Sequence, residues 1–386
     1  MVEVDAKVMT AVIASLAVVI AGSGLILFIA DENSTVTVLN IDHEGIFENG
    51  SYREVIVSAA VGDGHVVLRN IMILESLIIR GGGQNSVVLD GCTNEGSTVV
   101  DKQGGEDVRV YLRNTVLPTL EAQSNIILEA DSDAGFVNVS LNCASTTVKG
   151  SDTSISNMVV SDSVSLDMQA GTVSDLLVPE NASVNISSGG NAKVNSVTVG
   201  GIMNVNGITT QIDKVSLRDG SSLNVSEGTV DAVDVPENAS VSLSSGAEGK
   251  IVTADVKDGS SLNVSGSATS IGKIDMKDGS SLNLKEGSVA LVEIPTGSTV
   301  NIDKKTEGNI GSAIVGDNVS IDSPEGSDIE NVKFIPAEGS SGKSLRVHGN
   351  FHGVTNPGQH GYPGYPWFPW FSEWWQNWLS YWYGSP

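Results

Sequence analysis

The feature that most constrains this chain is a seven-residue stretch that its sequence writes three times. Residues 219–225 and 258–264 both read DGSSLNV, and residues 278–284 read DGSSLNL. The stretch belongs to a longer repeat in which short apolar–polar–apolar segments begin 18 to 21 residues apart, at 184–186, 203–205, 223–225, 241–243, 262–264, 282–284, 300–302 and 319–321. Four earlier segments, 66–68, 87–89, 108–110 and 126–128, continue the spacing with less identity. A repeat of this length is typical of a solenoid, in which each unit stacks on its neighbours.

Each repeat carries a second alternating segment just upstream, as at 215–217, 233–235, 274–276 and 292–294. Alternation with a period of two predicts a β-strand that buries one face. The corner between the two strands always has Gly or Asn as its second residue: Gly220, Asn238, Gly259, Gly279 and Gly297. These two residue types tolerate the left-handed backbone of a tight bend. The repeat therefore predicts the same structural corner in every coil.

Two or three short strands for each coil of about 19 residues predict an all-β fold, a single-stranded parallel β-helix over residues 35–347. Strands of consecutive coils would pair in parallel about 4.8 Å apart, with the apolar residues inside and an Asn column outside. The period and the corner type resemble those of the pectin-lyase-like parallel β-helices and of the repetitive, adhesin-like β-solenoid stalks of bacterial surface proteins. The resemblance implies a fold and leaves the activity open.

The N-terminal segment 8–30 contains no charged residue over 23 positions. An apolar helix of this length can span a bilayer, which predicts a transmembrane anchor, or a signal segment if it is cleaved. Lys7 precedes the segment and favours a cytoplasmic location for residues 1–7. The bulk of the chain is then expected outside the membrane, anchored if the segment is retained and secreted if it is removed.

The charge balance excludes one class of partner. The chain has 21 Lys and Arg against 46 Asp and Glu, a net charge of −25, which disfavours binding to nucleic acid. The corner carboxylates Asp219, Asp258 and Asp278 are weak candidates for calcium, a cation that prefers oxygen ligands. Asp is also common in solvated turns, and one carboxylate per coil supplies few ligands.

Catalytic residues are not predicted. Enzymes of the pectate-lyase kind hold calcium with clustered Asp residues beside a basic Arg or Lys, and the related hydrolases use paired carboxylates. Arg80, followed by three glycines, is the most site-like stretch of this sequence, although an exposed loop explains it equally well. The two cysteines, Cys92 and Cys143, fit either a disulfide or two buried thiols, with the second favoured.

The composition changes after residue 347. Residues 348–368 form a Gly/Pro-rich linker, which contains His348, His352 and His360, and residues 369–383 have a polar stripe at helical spacing. We expect an aromatic amphipathic helix there, with a binding tip made of Trp367, Trp370, Trp374, Trp375, Trp378 and Trp382. The segment fits capping of the solenoid, stacking on sugar rings, or contact with another surface protein, a second copy or an extracellular polysaccharide. We favour contact, because twelve aromatic residues exceed what a cap needs.

Together these features predict a cell-surface structural or adhesive protein, a membrane-anchored stalk that displays an aromatic tip. The alternative is an extracellular polysaccharide lyase or hydrolase, and a passive spacer is a third reading.

Overall fold

In the computed structural model the chain winds into a parallel β-solenoid. The structure describes residues 16–21, 24–29, 38–187, 190–243, 249–302, 309–316, 319–322, 328–334, 346–348 and 354–355. Nearly all of the described strands, 28 of them, join one continuous sheet. The fold expected from the repeat, a parallel β-helix consistent with the pectin-lyase-like architecture, is confirmed.

The strands of the N-terminal half are β1 (Leu16–Ala21), β2 (Gly24–Ile29), β3 (Val38–Ile41), β4 (Gly45–Val57), β5 (Val66–Ile79), β6 (Val88–Asp90), β7 (Thr93–Asn94), β8 (Ser97–Val100), β9 (Val108–Arg113), β10 (Val116–Ala122), β11 (Ile126–Ala130), β12 (Gly135–Leu141), β13 (Ser145–Lys149), β14 (Ser154–Val160) and β15 (Ser163–Met168). A short 3-10 helix, Ala59–Val61, lies between β4 and β5.

The strands of the C-terminal half are β16 (Gly171–Val178), β17 (Ser183–Ser187), β18 (Ala192–Val199), β19 (Ile202–Leu217), β20 (Ser222–Val235), β21 (Ser240–Leu243), β22 (Gly249–Val256), β23 (Ser261–Met276), β24 (Ser281–Ile294), β25 (Thr299–Ile302), β26 (Asn309–Val315), β27 (Ser320–Asp322), β28 (Asp328–Phe334), β29 (Arg346–His348) and β30 (Val354–Thr355).

Two ladders of parallel strands form the long sides of the solenoid. Ladder A includes β15, β17, β21, β25 and the first halves of β19, β20, β23 and β24. Ladder B includes β16, β18, β22, β26 and the second halves of the same four long strands. The chain therefore runs along ladder A, bends into ladder B, bends again where the alternation breaks within ladder B, as at Asp231-Ala232, and turns a corner into the next coil.

The repeated DGSSLNV combines a tight turn with the start of a strand, as residues 219–225 show. Gly220 has a φ of 75°, and the Ser221 N–H donates to the Arg218 carbonyl at 3.1 Å to close a four-residue turn. The buried Ser221 hydroxyl donates to the same carbonyl at 2.6 Å. Ser222 begins the ladder A strand, Leu223 points into the core, and Asn224 points outward.

The core is a narrow column of aliphatic side chains between the two ladders. Each coil of the C-terminal half contributes inward residues from both sides, such as Leu223 and Val225 from ladder A and Val233 and Val235 from ladder B, all at most 1% exposed. One layer packs directly on the next, because Leu223 is paired with Val241 and Val233 with Ala254. Burial of aliphatic surface in every layer is the main stabilising contribution expected for such a stack.

The second bend of the coil, from ladder A to ladder B, also uses glycine. Gly228 has a φ of 91°, and a Cβ there would lie 2.6 Å from the Gly207 carbonyl oxygen and 2.9 Å from that of Thr210. The bend is thus constrained by the preceding coil as well as by its own backbone.

The strand register agrees with the repeat alignment except at two steps. From Val184 through Val300 the aligned residues are paired in consecutive coils. Val88, however, pairs with Tyr111 and not with Arg109, and Val300 pairs with Ile321 and not with Val319. Both shifts are of two residues. A two-residue shift keeps every side chain on its original face, so the apolar pattern does not distinguish the two registers.

The N-terminal transmembrane helix is not confirmed. The described part of segment 8–30 consists of two antiparallel strands, β1 and β2, with Leu16 paired to Ile29 and Ala21 to Gly24. An uninterrupted apolar run gives no periodicity to separate helix from strand. Within the described ranges, no helix has the length and apolar character to cross a membrane.

Candidate binding surfaces on the solenoid

The predicted corner residues lie at the turns between ladder B and ladder A. Asn238, Gly259, Gly279 and Gly297 have φ angles of 59°, 70°, 71° and 75°, like Gly220. Asp219, Asp258 and Asp278 precede three of them and are exposed at the turn tips. In the part of the chain that the structure describes, no three His, Cys, Asp or Glu side chains form a group able to hold a metal ion. Calcium at this corner stays a prediction.

An asparagine column runs along the outer face of ladder A, as the repeat alignment predicts. The Asn204 amide donates to Asn185 Oδ1 at 2.5 Å, and Asn224 donates to Asn204 at 2.7 Å. Ser242 interrupts the column, which then resumes with two bonds of 2.9 Å, from Asn283 to Asn263 and from Asn301 to Asn283. These side chains connect consecutive coils outside the core.

Ladder B has an acidic column whose lysine partners could not be predicted from the sequence. Asp234, Asp255, Asp275 and Glu293 are paired in four consecutive layers at an outward position. Lysines lie beside each of them: Lys214 contacts Asp234 at 3.0 Å, Lys273 contacts Glu293 at 2.9 Å, and Lys257 contacts Asp255. The signal was visible in the triplets VDV, ADV, IDM and VEI, but the basic partners lie on neighbouring coils or beyond the strand end.

Lys277 is the most connected member of this column. Its ammonium group lies 3.0 Å from Asp275 Oδ1 and 3.8 Å from Asp255 Oδ1. The hydrogen bond to Asp275, followed by the nearby carboxylates, raises the pKa of Lys277. Lys273 behaves similarly, because its hydrogen bond to Glu293 raises its pKa. Lysines therefore neutralise carboxylates that would otherwise repel one another between layers.

A second charged column occupies the outer face of ladder A near the N-terminus. Its charges alternate in five successive layers: Glu48, Arg69, Asp90, Arg113 and Asp131. Arg69 reaches both neighbours, at 2.5 Å to Glu48 and 3.3 Å to Asp90, and Arg113 lies 3.8 Å from Asp131. The two hydrogen bonds to Glu48 and Asp90 raise the pKa of Arg69. This alternating column keeps each carboxylate beside a guanidinium.

Tyr111 stands beside the alternating column with an arginine on each side along β9. The Arg109 and Arg113 guanidinium carbons lie 4.2 and 4.6 Å from its ring centroid, within the range of cation–π attraction. Its hydroxyl donates to Asp131 at 2.5 Å, and Arg109 pairs with Glu129 at 2.7 Å. Arginines and carboxylates from adjacent coils, about 20 residues apart in sequence, thus converge on one lateral face, which no linear motif could indicate.

The glycines after Arg80 belong to the packed interior of a loop and not to an exposed one. Gly81, Gly82 and Gly83 are buried, and a Cβ on Gly81 would lie 2.4 Å from the Ser58 carbonyl oxygen. Lys102 joins this loop to its neighbours by contacting Asp63 and donating to the Gly82 carbonyl at 2.7 Å. The stretch that was the most site-like in sequence therefore has a structural role, while Arg80 itself is exposed.

A shallow groove of about 270 Å³ crosses ladder B over β14, β16 and β18. Half-buried Val159 and Leu177 contribute apolar surface, and Asp175 and Arg218 contribute opposite charges at exposed positions. The groove is open to solvent along the face of the ladder.

The cysteines are free. Cys92 is buried and Cys143 is half-buried, and burial raises the pKa of both thiols. The structure thus has two separate thiols, of which Cys92 is buried as expected and Cys143 only in part.

The predicted aromatic tip lies outside the described residues. This applies to Trp367, Trp370, Trp374, Trp375, Trp378 and Trp382, to helix 369–383, and to the linker 348–368 apart from His348 and β30. His348 ends β29, where the described structure has a strand.

In comparison with known proteins, the chain matches no protein-family model, no curated protein and no solved structure.

Proposed function

We propose that this chain is a structural or adhesive rod of the cell surface, whose solenoid holds the C-terminal aromatic segment away from the point of attachment. The observation that carries the proposal is the continuity of the stack from β3 to β30 in one sheet. At the usual strand spacing the stack is on the order of 75 Å long. A long, continuous stack suits a spacer or stalk, because each coil adds length along the same axis.

The acidic surface of the chain supports a rod that is exposed to solvent at the cell surface. A net charge of −25 keeps rods apart in solution and limits non-specific association with anionic polymers. Specific attachment then requires an apolar segment of low charge. Residues 367–382 have that chemistry, because they contain all six tryptophans and a single charged residue, Glu373.

Deletion of residues 362–386 tests this role. We expect the far-ultraviolet circular dichroism spectrum and the melting temperature to stay unchanged, while binding to envelope fractions or purified cell-wall polysaccharide is lost. The matched control replaces Trp374, Trp375 and Trp378 with Ser in the full-length chain, and it should lose binding to a similar extent. Loss of the β spectrum on deletion would show instead that the segment caps the solenoid.

The proposed location is outside the cytoplasmic membrane, with residues 8–30 as the export or anchoring segment. Fractionation of cells expressing the full chain, with protease added outside, checks this. Protection of the solenoid from the protease in intact cells, together with cleavage after lysis, would contradict an external location.

A second candidate function is cleavage of an acidic polysaccharide, supported by the lateral face around Tyr111. There Arg109, Arg113, Glu129 and Asp131 lie within contact distance of one another or of the tyrosine. Arginines suit a sugar carboxylate, and carboxylates suit proton transfer. Incubation with acidic polysaccharides, monitored for new unsaturated or reducing ends, tests this function. Activity that disappears in Arg113→Ala would support it. The absence of product from every polysaccharide would exclude it.

A further inference from the structure

Two neighbouring columns on one face of the solenoid carry no charge over a long distance. On ladder A the strands β15, β17, β19, β20, β21, β23, β24 and β25 each begin with two outward positions that pair with the same positions in the next coil. The outward position that follows them carries Asp167 in β15 and Lys285 in β24. The first position is Ser in six strands, Ile202 in β19 and Thr299 in β25, and the second is Asn or Ser throughout. We call these two columns the Ser/Asn face.

The neutrality of the Ser/Asn face contrasts with the rest of the chain. Asp and Glu outnumber Lys and Arg by 25, and the ladder B face of the same coils carries the acidic column of Asp234, Asp255, Asp275 and Glu293. Two copies that approach through most surfaces therefore bring like charges together. Approach through the Ser/Asn face puts no charged side chain at the centre of the contact, while the corner carboxylates Asp219, Asp258 and Asp278 lie at its edge and are screened by salt.

The geometry of this face also suits a partner with the same axial repeat. Its side chains recur once per coil, about every 4.8 Å, over eight layers. A partner with a different spacing loses register after a few layers, whereas a second copy of this chain keeps it throughout. Small side chains allow two sheets to approach closely, as the paired faces of identical stacked sheets do.

The hydrogen-bonding capacity of the asparagines is only partly used within one molecule. Each amide in the column has two N–H donors, and the bonds from Asn204, Asn224, Asn283 and Asn301 to the preceding Asn use one. The asparagines of the column are half-buried or exposed, so the serines and asparagines of a facing copy could use the second donor.

From these observations we propose that two copies of this chain associate side by side through the Ser/Asn face. Eight layers by a strand of four residues amount to roughly 900 Å² buried in total, at the low end for specific interfaces. The dimer is therefore weak and concentration-dependent. This contact is separate from the aromatic segment and does not depend on the function proposed for it.

The test adds positive charge to the Ser/Asn face and so lowers the net negative charge of the chain. Ser222→Lys with Ser261→Lys puts two lysines on the Ser/Asn face, and Val252→Lys with Ala290→Lys puts two at exposed positions on β22 and β24 away from it. Both double variants change the net charge from −25 to −23, since each adds two positive charges. Sedimentation equilibrium should show a wild-type dimer that strengthens with salt, at least about tenfold weakening in the face variant, and no weakening in the control.

Disulfide trapping provides a second readout, which depends neither on charge nor on whether the fold tolerates lysine at these positions. Ser240→Cys, a nearly isosteric change at the centre of the face, should give a covalent dimer under mild oxidation, whereas Val252→Cys should not. A wild-type monomer at every concentration and salt, or equal trapping at both positions, overturns the proposal. Trapping that appears only after deletion of residues 362–386 would overturn it as well, because the chain's own C-terminus would then occupy the face.

Discussion

The left-handed corner residue determines how each coil ends. Five of the predicted corners have φ between 59° and 75°, and Gly220, Gly259, Gly279 and Gly297 have open space where a Cβ would lie. Asn occurs at the same position in Asn181 and Asn238, with φ of 65° and 59°. The requirement at this corner is therefore a backbone conformation and not a small side chain.

This distinction gives a prediction at the residue scale. Gly279→Asn should lower the free energy of unfolding by only a few tenths of a kcal/mol, whereas Gly279→Val should lower it by about 1–2 kcal/mol, because a β-branched residue is strained at positive φ. Gly228→Asn should cost more than Gly279→Asn, since its Cβ would meet two carbonyl oxygens closer than 3.0 Å. Urea denaturation followed by circular dichroism measures all three. Equal costs for Asn at the two glycines would contradict the assignment.

The strands of ladder B are stabilised on the outside by ion pairs between layers. Asp255 and Asp275 are paired in adjacent coils, and Lys277 lies within reach of both. These groups are about one-third to two-fifths exposed, so water and salt screen them substantially. Their contribution is expected to be below about 1 kcal/mol per pair, but removal of the lysine leaves two neighbouring carboxylates without their shared cation.

Lys277→Gln should therefore destabilise the solenoid at neutral pH and low salt by about 0.5–1 kcal/mol, and less at high salt. The pKa of Lys277 is raised in the folded state, so its contribution is complete below the ordinary value of 10.5 and is lost as the pH rises through the folded pKa. The difference between the two proteins should accordingly vanish at very alkaline pH. Lys250→Gln, at an exposed position of β22, is the control and should have little effect. A loss that does not depend on salt would assign Lys277 a packing role.

Much of the strand arrangement was predictable from the sequence, because the corner glycines depend on local backbone conformation and the alternating triplets on the alternation of side chains along a strand. The pairs Leu223–Val241 and Leu262–Leu282 follow directly from the alignment. The shifts at Val88 and Val300 did not, because a two-residue shift preserves the buried face. The alternating column of Arg69 and Asp90 was equally hidden, since these residues are 21 positions apart and meet only when the coil closes.

At the scale of the whole molecule, the N-terminal segment 8–30, which has no repeat, was less predictable from the sequence than the solenoid. Residues 8–30 satisfy the length of a membrane helix, yet the described part pairs β1 with β2. Apolar content alone carries no information on periodicity, whereas the solenoid encodes its geometry again in every coil. Consistency between coils is therefore the source of the strong fold prediction, because each repeat tests the same pattern independently.

That redundancy gives a last prediction, which concerns the stack as a whole. Deletion of residues 258–277 removes one complete coil and joins Lys257 to Asp278, which recreates the same corner sequence, KDGSS. The strand β21 can then pair with Ser281–Leu284 in place of Ser261–Val264, and β22 with the second half of β24, because the inward residues are equivalent. Nearest-neighbour stacking predicts a folded rod shorter by about 4.8 Å.

The matched control deletes only residues 258–267, half of the same coil. This change removes the ladder A strand but keeps the ladder B strand, so the following corner arrives on the wrong side of the stack. We expect the full-coil deletion to retain the β spectrum, cooperative melting and slow amide hydrogen exchange in both halves of the rod. The half-coil deletion should lose slow exchange from residue 268 onward, because no register brings both ladders back into alignment. If both deletions fold equally well, the coils do not depend on their neighbours for register, and stacking is not what determines this architecture.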